Sequence, residues 1–184
     1  MARIAALRGS SSAHQALLAT FAQNVRDAGY RVAGLVQIAQ PCSSGCEGLA
    51  LQDLSTGDVL PISQDLGPGS TACKLDSATL ADACARAERA IVGGADLMIL
   101  SKFGKLEVVR HGLVDAFRAA MLAGTPVATS IAAEAIAAWQ DFAGPFADFV
   151  PANAADLDEW WGTVKDLRAL DEPAEALAGD GGMS

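Results

Sequence analysis

Apolar and polar positions alternate along the chain in blocks, with short apolar runs followed by longer stretches of helical periodicity. Residues 3–8 form an apolar run of buried-strand length, and Gly9-Ser10-Ser11-Ser12 supplies turn chemistry directly after it. Ala16, Leu17, Thr20, Phe21 and Val25 then recur at helical spacing to about Ala28. Ser11 or Ser12 serves as the predicted N-cap and Gly29 as the stop. Residues 31–37 predict a second strand, which completes a β-loop-α-β unit and makes a parallel sheet with right-handed crossovers the default.

Residues 39–48 read as a loop, and residues 49–63 as a β-hairpin turning at Ser55-Thr56-Gly57-Asp58. A polar, glycine-rich loop is expected over 64–75. A helix is expected over 77–92, with Asp76 or Ser77 as its cap and Gly93-Gly94 as its end. Residues 96–100 predict another buried strand, 101–107 a loop, 107–123 a helix stopped by Gly124, and 126–131 a strand. A helix near 132–142, an edge strand over 146–150 and a helix over 156–170 complete the pattern. Strands alternating with helices predict an α/β fold: a three-layer, mostly parallel sheet with an inserted β-hairpin. Residues 1–170 are expected to form one domain and 171–184 a disordered tail.

Composition narrows the partners. The chain has 184 residues, about half of them apolar, enough for a sizeable core. A formal net charge of −9 works against nucleic acid and anionic membranes as partners, so neither nucleic-acid binding nor membrane insertion is expected. No charge-free apolar stretch reaches the roughly 18 residues of a membrane span, and the first residues lack a signal-peptide pattern. A cytoplasmic location with reduced thiols follows as the expectation.

Candidate chemistry gathers where an open α/β sheet places ligands, outside the carboxyl ends of its strands. The first such end is Arg8-Gly9-Ser10-Ser11-Ser12-Ala13-His14, where unpaired helix N–H groups and serine hydroxyls suit an anion. It lacks the second glycine and the lysine of G-x-x-x-x-G-K-[ST]. It reads either as an anion cradle or as an ordinary serine-capped turn. Gln37 at the end of the second strand joins the same candidate site. Ser101, Lys102, Gly104 and Lys105 follow the strand at 96–100, where an ATP- or GTP-cleaving enzyme carries an acidic Mg²⁺ ligand. Two lysines there favour a bare oxyanion over a metal–nucleotide complex, or they are simply solvated loop charges. Glu107 is expected to cap the following helix. Cys42, Cys46 and Cys73 flank the hairpin and form a candidate thiophilic metal site, with redox-active or plain structural thiols as the other readings. Cys84 lies on an apolar helical face and reads as core. His14 and His111 read as surface residues, with His14 near enough to the serines to touch a bound anion. Trp160 and Trp161 read as packing for the last helix.

The β-loop-α start, the strand at 32–37, the hairpin with its central Gly57 and the segment at 97–107 resemble the THEP-type nucleoside-triphosphatases, a P-loop family, over about residues 1–135. The chain departs from that family at both catalytic places: its loop lacks G-K-[ST], and Ser101-Lys102 stand where the family has an acidic pair. It is more similar still to a bacterial family encoded beside molybdate ABC-transporter genes. That likeness is carried by Ile62-Ser63-Gln64-Asp65-Leu66-Gly67, Cys73-Lys74-Leu75-Asp76 and Lys102-Phe103-Gly104-Lys105-Leu106-Glu107, with Cys46 at a cysteine of that pattern. The resemblance implies a role near molybdate or tungstate handling. Three functions stay open. One is binding of a tetrahedral oxyanion such as molybdate, without NTP hydrolysis and with no catalytic residue. The second is a divergent nucleotide hydrolase or transferase. The third is a non-catalytic regulatory partner of a transporter or cofactor-assembly protein. A small anionic ligand is the expected partner, and a homo-oligomer or a transporter-associated assembly is left open.

Overall fold

The computed structural model describes residues 3–41, 47–64 and 74–171. In chain order the elements are β1 (Ile4–Arg8), α1 (Ser12–Asp27), β2 (Val32–Pro41), β3 (Glu47–Asp53), β4 (Val59–Pro61), β5 (Ser63–Gln64), β6 (Lys74–Leu75) and α2 (Ser77–Val92). They continue as β7 (Leu97–Phe103), α3 (Lys105–Val108), α4 (Val114–Ala123), β8 (Val127–Ile131), α5 (Ile136–Ala143), β9 (Ala147–Val150) and α6 (Ala154–Asp171), with 3₁₀ turns on both sides of α5. Seven strands make one sheet in the order β4-β3-β2-β7-β8-β1-β9, and β5 with β6 makes a separate two-stranded ribbon. The five strands from β2 to β9 pair in parallel, while β3 and β4 run antiparallel as the inserted hairpin at one edge.

The apolar runs alternate because both faces of the sheet are covered. Ile4 and Ala6 of β1 and Met98 and Leu100 of β7 face one core, which α2, α4 and α5 close with Ala83, Phe117 and Trp139. Ala5, Leu7, Leu97 and Ile99 face the other core, which α1 and α6 close with Leu18, Phe21, Leu157 and Trp160. The step from β1 to β2 crosses the sheet in one direction with α1 on one face. The steps through β7 and β8 run back with α2 and α4 on the other, as crossovers of a single hand require. Gly34 belongs to this close packing: with φ at 127°, a Cβ there would lie 2.6 Å from the Ile99 backbone nitrogen. Arg86 of α2 ties the hairpin down, its guanidinium 2.8 Å from Asp58 and 2.9 Å from Asp82.

Several boundaries differ from the sequence expectation. The loops expected over 39–48 and 64–75 are shorter, because β2 runs to Pro41, β3 starts at Glu47, and Lys74–Leu75 pairs with Ser63–Gln64. The helix expected over 107–123 is two, α3 and α4. Between them Arg110 and Gly112 take φ values of 63° and 65°, which reverses the chain. Glu107 causes that break as well as capping α3. Its buried carboxylate accepts from the Gly104 N–H at 2.9 Å and the Leu113 N–H at 3.0 Å, and a side chain at Gly112 would collide with it. Asp76 caps α2 by accepting from the Ala78 and Thr79 N–H groups. Cys84, Trp160 and Trp161 are core residues, and His111 is exposed. Among the described residues, no helix is long and apolar enough to cross a membrane. Residues 172–184 lie outside the described residues.

Candidate functional site

The carboxyl ends of the parallel strands converge on a place where the ladder comes apart. β2 and β7 pair only as far as Leu35 opposite Leu100, after which their facing backbone groups lose their partners. Beside them β7 carries a bulge, since Leu100 opposes Thr129 but Phe103 opposes Ile131, three residues against two. The bulge shifts the side-chain phase of β7, so that Phe103 joins the same core as Leu100. The 101–107 segment is therefore not a loop. Ser101 and Lys102 belong to β7, Gly104 is the cap, and Lys105 opens α3. Ser101 and Lys102 ended the apolar run in the sequence, but Phe103 keeps the strand going by packing 5.0 Å from Trp139 and 5.8 Å from Phe117, ring to ring.

Gln15 fills the gap. It is 4% exposed, and its amide uses three of its hydrogen-bonding positions. Nε2 donates to the Ser101 carbonyl at 2.7 Å and to Ser130 Oγ at 3.1 Å, and Oε1 accepts from the Gln37 N–H at 3.0 Å. Ser130 Oγ also donates to the Ser101 carbonyl at 2.9 Å. The first turn of α1 thus binds β2, β7 and β8 together. Counting the G-x-x-x-x-G-K-[ST] frame from Gly9 puts His14, Gln15 and Ala16 at the positions of the second glycine, the lysine and the Ser/Thr. The lysine position holds a neutral amide turned into the protein. The signal for it was in the sequence: Gln15 is a polar residue in register with the buried stripe Leu18, Ala22 and Val25 of α1.

A cavity of about 330 Å³ opens beside this junction. Ser10, Gln37, Ser101, Lys102, Gly104 and Lys105 line it on the sheet side, and Glu107 and Glu134 add two carboxylates. Leucines from the hairpin, the ribbon, α2 and the α3–α4 region form the other wall. Among the described residues neither Lys102 nor Lys105 enters an ion pair. Burial pushes the Glu107 carboxyl above the usual carboxylate range, against the opposing pull of the Leu113 and Gly104 N–H groups and of Lys102.

The remaining loop residues stand elsewhere. Arg8 stacks on Phe149 of β9, its Cζ 3.8 Å from the ring centroid, which directs it to the far edge of the sheet. Gly9 takes φ of 108°, and its N–H donates to the Ile131 carbonyl at 2.9 Å. The His14 ring folds back over Gly9, where an added Cβ would lie 2.8 Å from Cε1, and Nδ1 meets Ser11 Oγ at 2.7 Å. Ser11 is the N-cap of α1 by position, but its hydroxyl is turned to His14 rather than to the helix backbone. Ser12 and Ala13 are exposed in the first turn. Of residues 8–14, Ser10 is the one among the described lining residues of the cavity. Cys42, Cys46 and Cys73 lie outside the described residues. Gln15, Glu107 and Glu134 complete the junction, and the sequence reading had not included them in the site.

A family model described as "Protein of unknown function (DUF2478)" matches residues 4–160. The chain belongs to the DUF2478 family. Over 163 residues it is 40% identical to the "Molybdenum import ATP-binding protein ModC 2" of Bradyrhizobium diazoefficiens (strain USDA 110), a match covering 88% of this chain. The chain spans only 18% of that relative's length. Among solved structures it is similar to THEP1 from the hyperthermophile Aquifex aeolicus. The TM-score is 0.57 at 15% identity, covering 92% of this chain and 99% of that one. This member of the DUF2478 family therefore has the P-loop NTPase-like fold of THEP1, with Gln15 in the frame position of the lysine.

Proposed function

We propose that this protein binds a small tetrahedral oxyanion group at the β7 bulge and does not hydrolyse nucleoside triphosphates. The observation that carries the reading is the exchange of roles between Gln15 and the lysines. The frame position that would serve a β/γ-phosphate is a committed amide, while two lysines without ion-pair partners among the described residues stand at the cavity mouth. Lys102, Lys105 and the Ser10 and Ser101 hydroxyls are the donors, each charge-assisted hydrogen bond contributing about 1.5–3 kcal/mol net. Molybdate and tungstate are the dianions in view, because the matched relative is named for molybdenum import. The same match favours a second, compatible reading, in which the chain is a non-catalytic companion of such an import protein, since its counterpart there is a minor part of a longer chain. Isothermal titration of the full chain with molybdate, sulfate and phosphate tests the first reading. Saturable heat that disappears in Lys102→Ala is expected, with no phosphate released from ATP and Mg²⁺. Absence of heat with every oxyanion, or ATP turnover lost in Lys102→Ala, would overturn it.

A further inference from the structure

The cavity is too large and too apolar for a bare oxyanion. A tetrahedral oxyanion displaces roughly the volume of three waters, about 90 Å³ at about 30 Å³ each. The cavity holds about 330 Å³. The space left over is bounded by Leu51, Ile62 and Leu113, all buried, and by Leu80 and Leu106. Water confined against such a wall gains little, whereas an apolar group there removes hydrocarbon surface from solvent. The charges point the same way. Lys102, Lys105, Glu107 and Glu134 share this lining, so the formal charge of the cavity is balanced. A charge-balanced lining suits a dipolar ligand better than a dianion alone. The Glu107 oxygens each hold one backbone N–H already, which leaves the exposed Glu134 carboxylate as the readier acceptor for a ligand donor.

From this we infer that the natural ligand carries its oxyanion on a compact organic body: a monoester of phosphate or of a like oxyanion, with an apolar group bearing an N–H donor. The oxyanion sits at Ser10, Ser101 and Lys102, the apolar group lies on the leucine wall, and the donor meets Glu134. The inference rests on the oxyanion reading above and adds the class of molecule.

Titration calorimetry on the full chain with inorganic phosphate, phenyl phosphate and 4-aminophenyl phosphate tests it. Phenyl phosphate is expected to bind at least about tenfold more tightly than phosphate, and 4-aminophenyl phosphate more tightly again. Leu80→Ala and Leu106→Ala each remove a half-buried side chain from the wall, with folding checked by circular dichroism. Both should weaken phenyl phosphate about fivefold and leave phosphate unchanged, and Glu134→Gln should abolish the extra gain of the amine. Equal affinity for phosphate and phenyl phosphate would overturn the inference while leaving oxyanion binding intact. So would a phenyl gain that survives both leucine variants. Failure of all three probes to bind would overturn both.

Discussion

Replacing Gln15 by methionine preserves the length and volume of the side chain and deletes its amide, so it isolates what the amide does. Two donated bonds are lost, to the Ser101 carbonyl and Ser130 Oγ, and the Gln37 N–H loses its acceptor. Each lost bond is worth about 0.5–1.5 kcal/mol net, and an orphaned buried donor costs about 1–3 kcal/mol more. Two features lower the sum. Ser130 Oγ still serves the Ser101 carbonyl, and Gln37 is half-buried, so water can reach its N–H. The expected loss is about 2–4 kcal/mol, or about 5–15 °C in Tm for a chain of this size. Urea unfolding followed by far-UV circular dichroism measures it, with an unchanged m-value showing that the unfolded state is the same. A companion Gln15→Lys should also be destabilised, because lysine offers donors and no acceptor for Gln37, and it should not acquire ATP turnover. A loss below about 1 kcal/mol in Gln15→Met would refute the view that this amide holds the strand ends together.

Four further outcomes follow from other parts of the molecule. Gly34→Ala places a Cβ against the Ile99 backbone at a φ of 127°, so destabilisation of at least about 3 kcal/mol is expected by chemical denaturation. Asp76→Ala removes the cap of α2 and should cost about 1 kcal/mol in the same assay. Cys84 is buried and its thiol is pushed above its ordinary value by that burial, so Ellman's reagent should reach it only as the chain unfolds in urea; rapid reaction of a Cys84→Ser-sensitive thiol in the native protein would contradict the packing. The Glu107 carboxyl is raised by burial, so ionisation costs the folded state more than the unfolded one. Its contribution is most favourable below the unfolded pKa and falls as pH rises through the folded value. The stability of the parent relative to Glu107→Gln should therefore decline as pH rises from the ordinary carboxylate value through the raised one, and a rising difference would contradict the sign.

How far the sequence led depended on whether a residue followed the period of its element. The strands at 4–7 and 97–100 are buried on both faces and read as continuous apolar runs, and the amphipathic helices carry caps at Asp76 and Gly124, so element type and order were legible. The β3–β4 hairpin was legible from its Gly57 turn. What escaped notice were the places where tertiary contacts overrule a local pattern. Ser101 and Lys102 look like the end of a strand until Phe103 is seen packed on Trp139. Residues 107–113 look helical until the Glu107 carboxylate is seen folded onto two backbone N–H groups. His14 looks like a surface residue beside a serine cradle, but its ring occupies the space over Gly9 that an open phosphate loop would leave clear.

The first of these departures turns on one atom. The Ser101 carbonyl lies in the β7 bulge, where the ladder to β8 is broken, and it would be an orphan without the two donors that reach it, Gln15 Nε2 and Ser130 Oγ. Lys102 follows it in the bulge and lines the cavity, and the Gln15 amide supplies one of that carbonyl's two donors. An ammonium at position 15 has no acceptor for the Gln37 N–H, and a lysine reaching outward to a phosphate would leave the Ser101 carbonyl with one donor fewer. The amide that closes the split between β2 and β7 thus also supports the stretch of strand from which Lys102 lines the cavity. In the proposed reading this sets the chemistry. A cation on the bulged strand can hold an oxyanion against the leucine wall. The first turn of α1, its lysine position spent on the interior, has no cation left to follow a γ-phosphate through transfer.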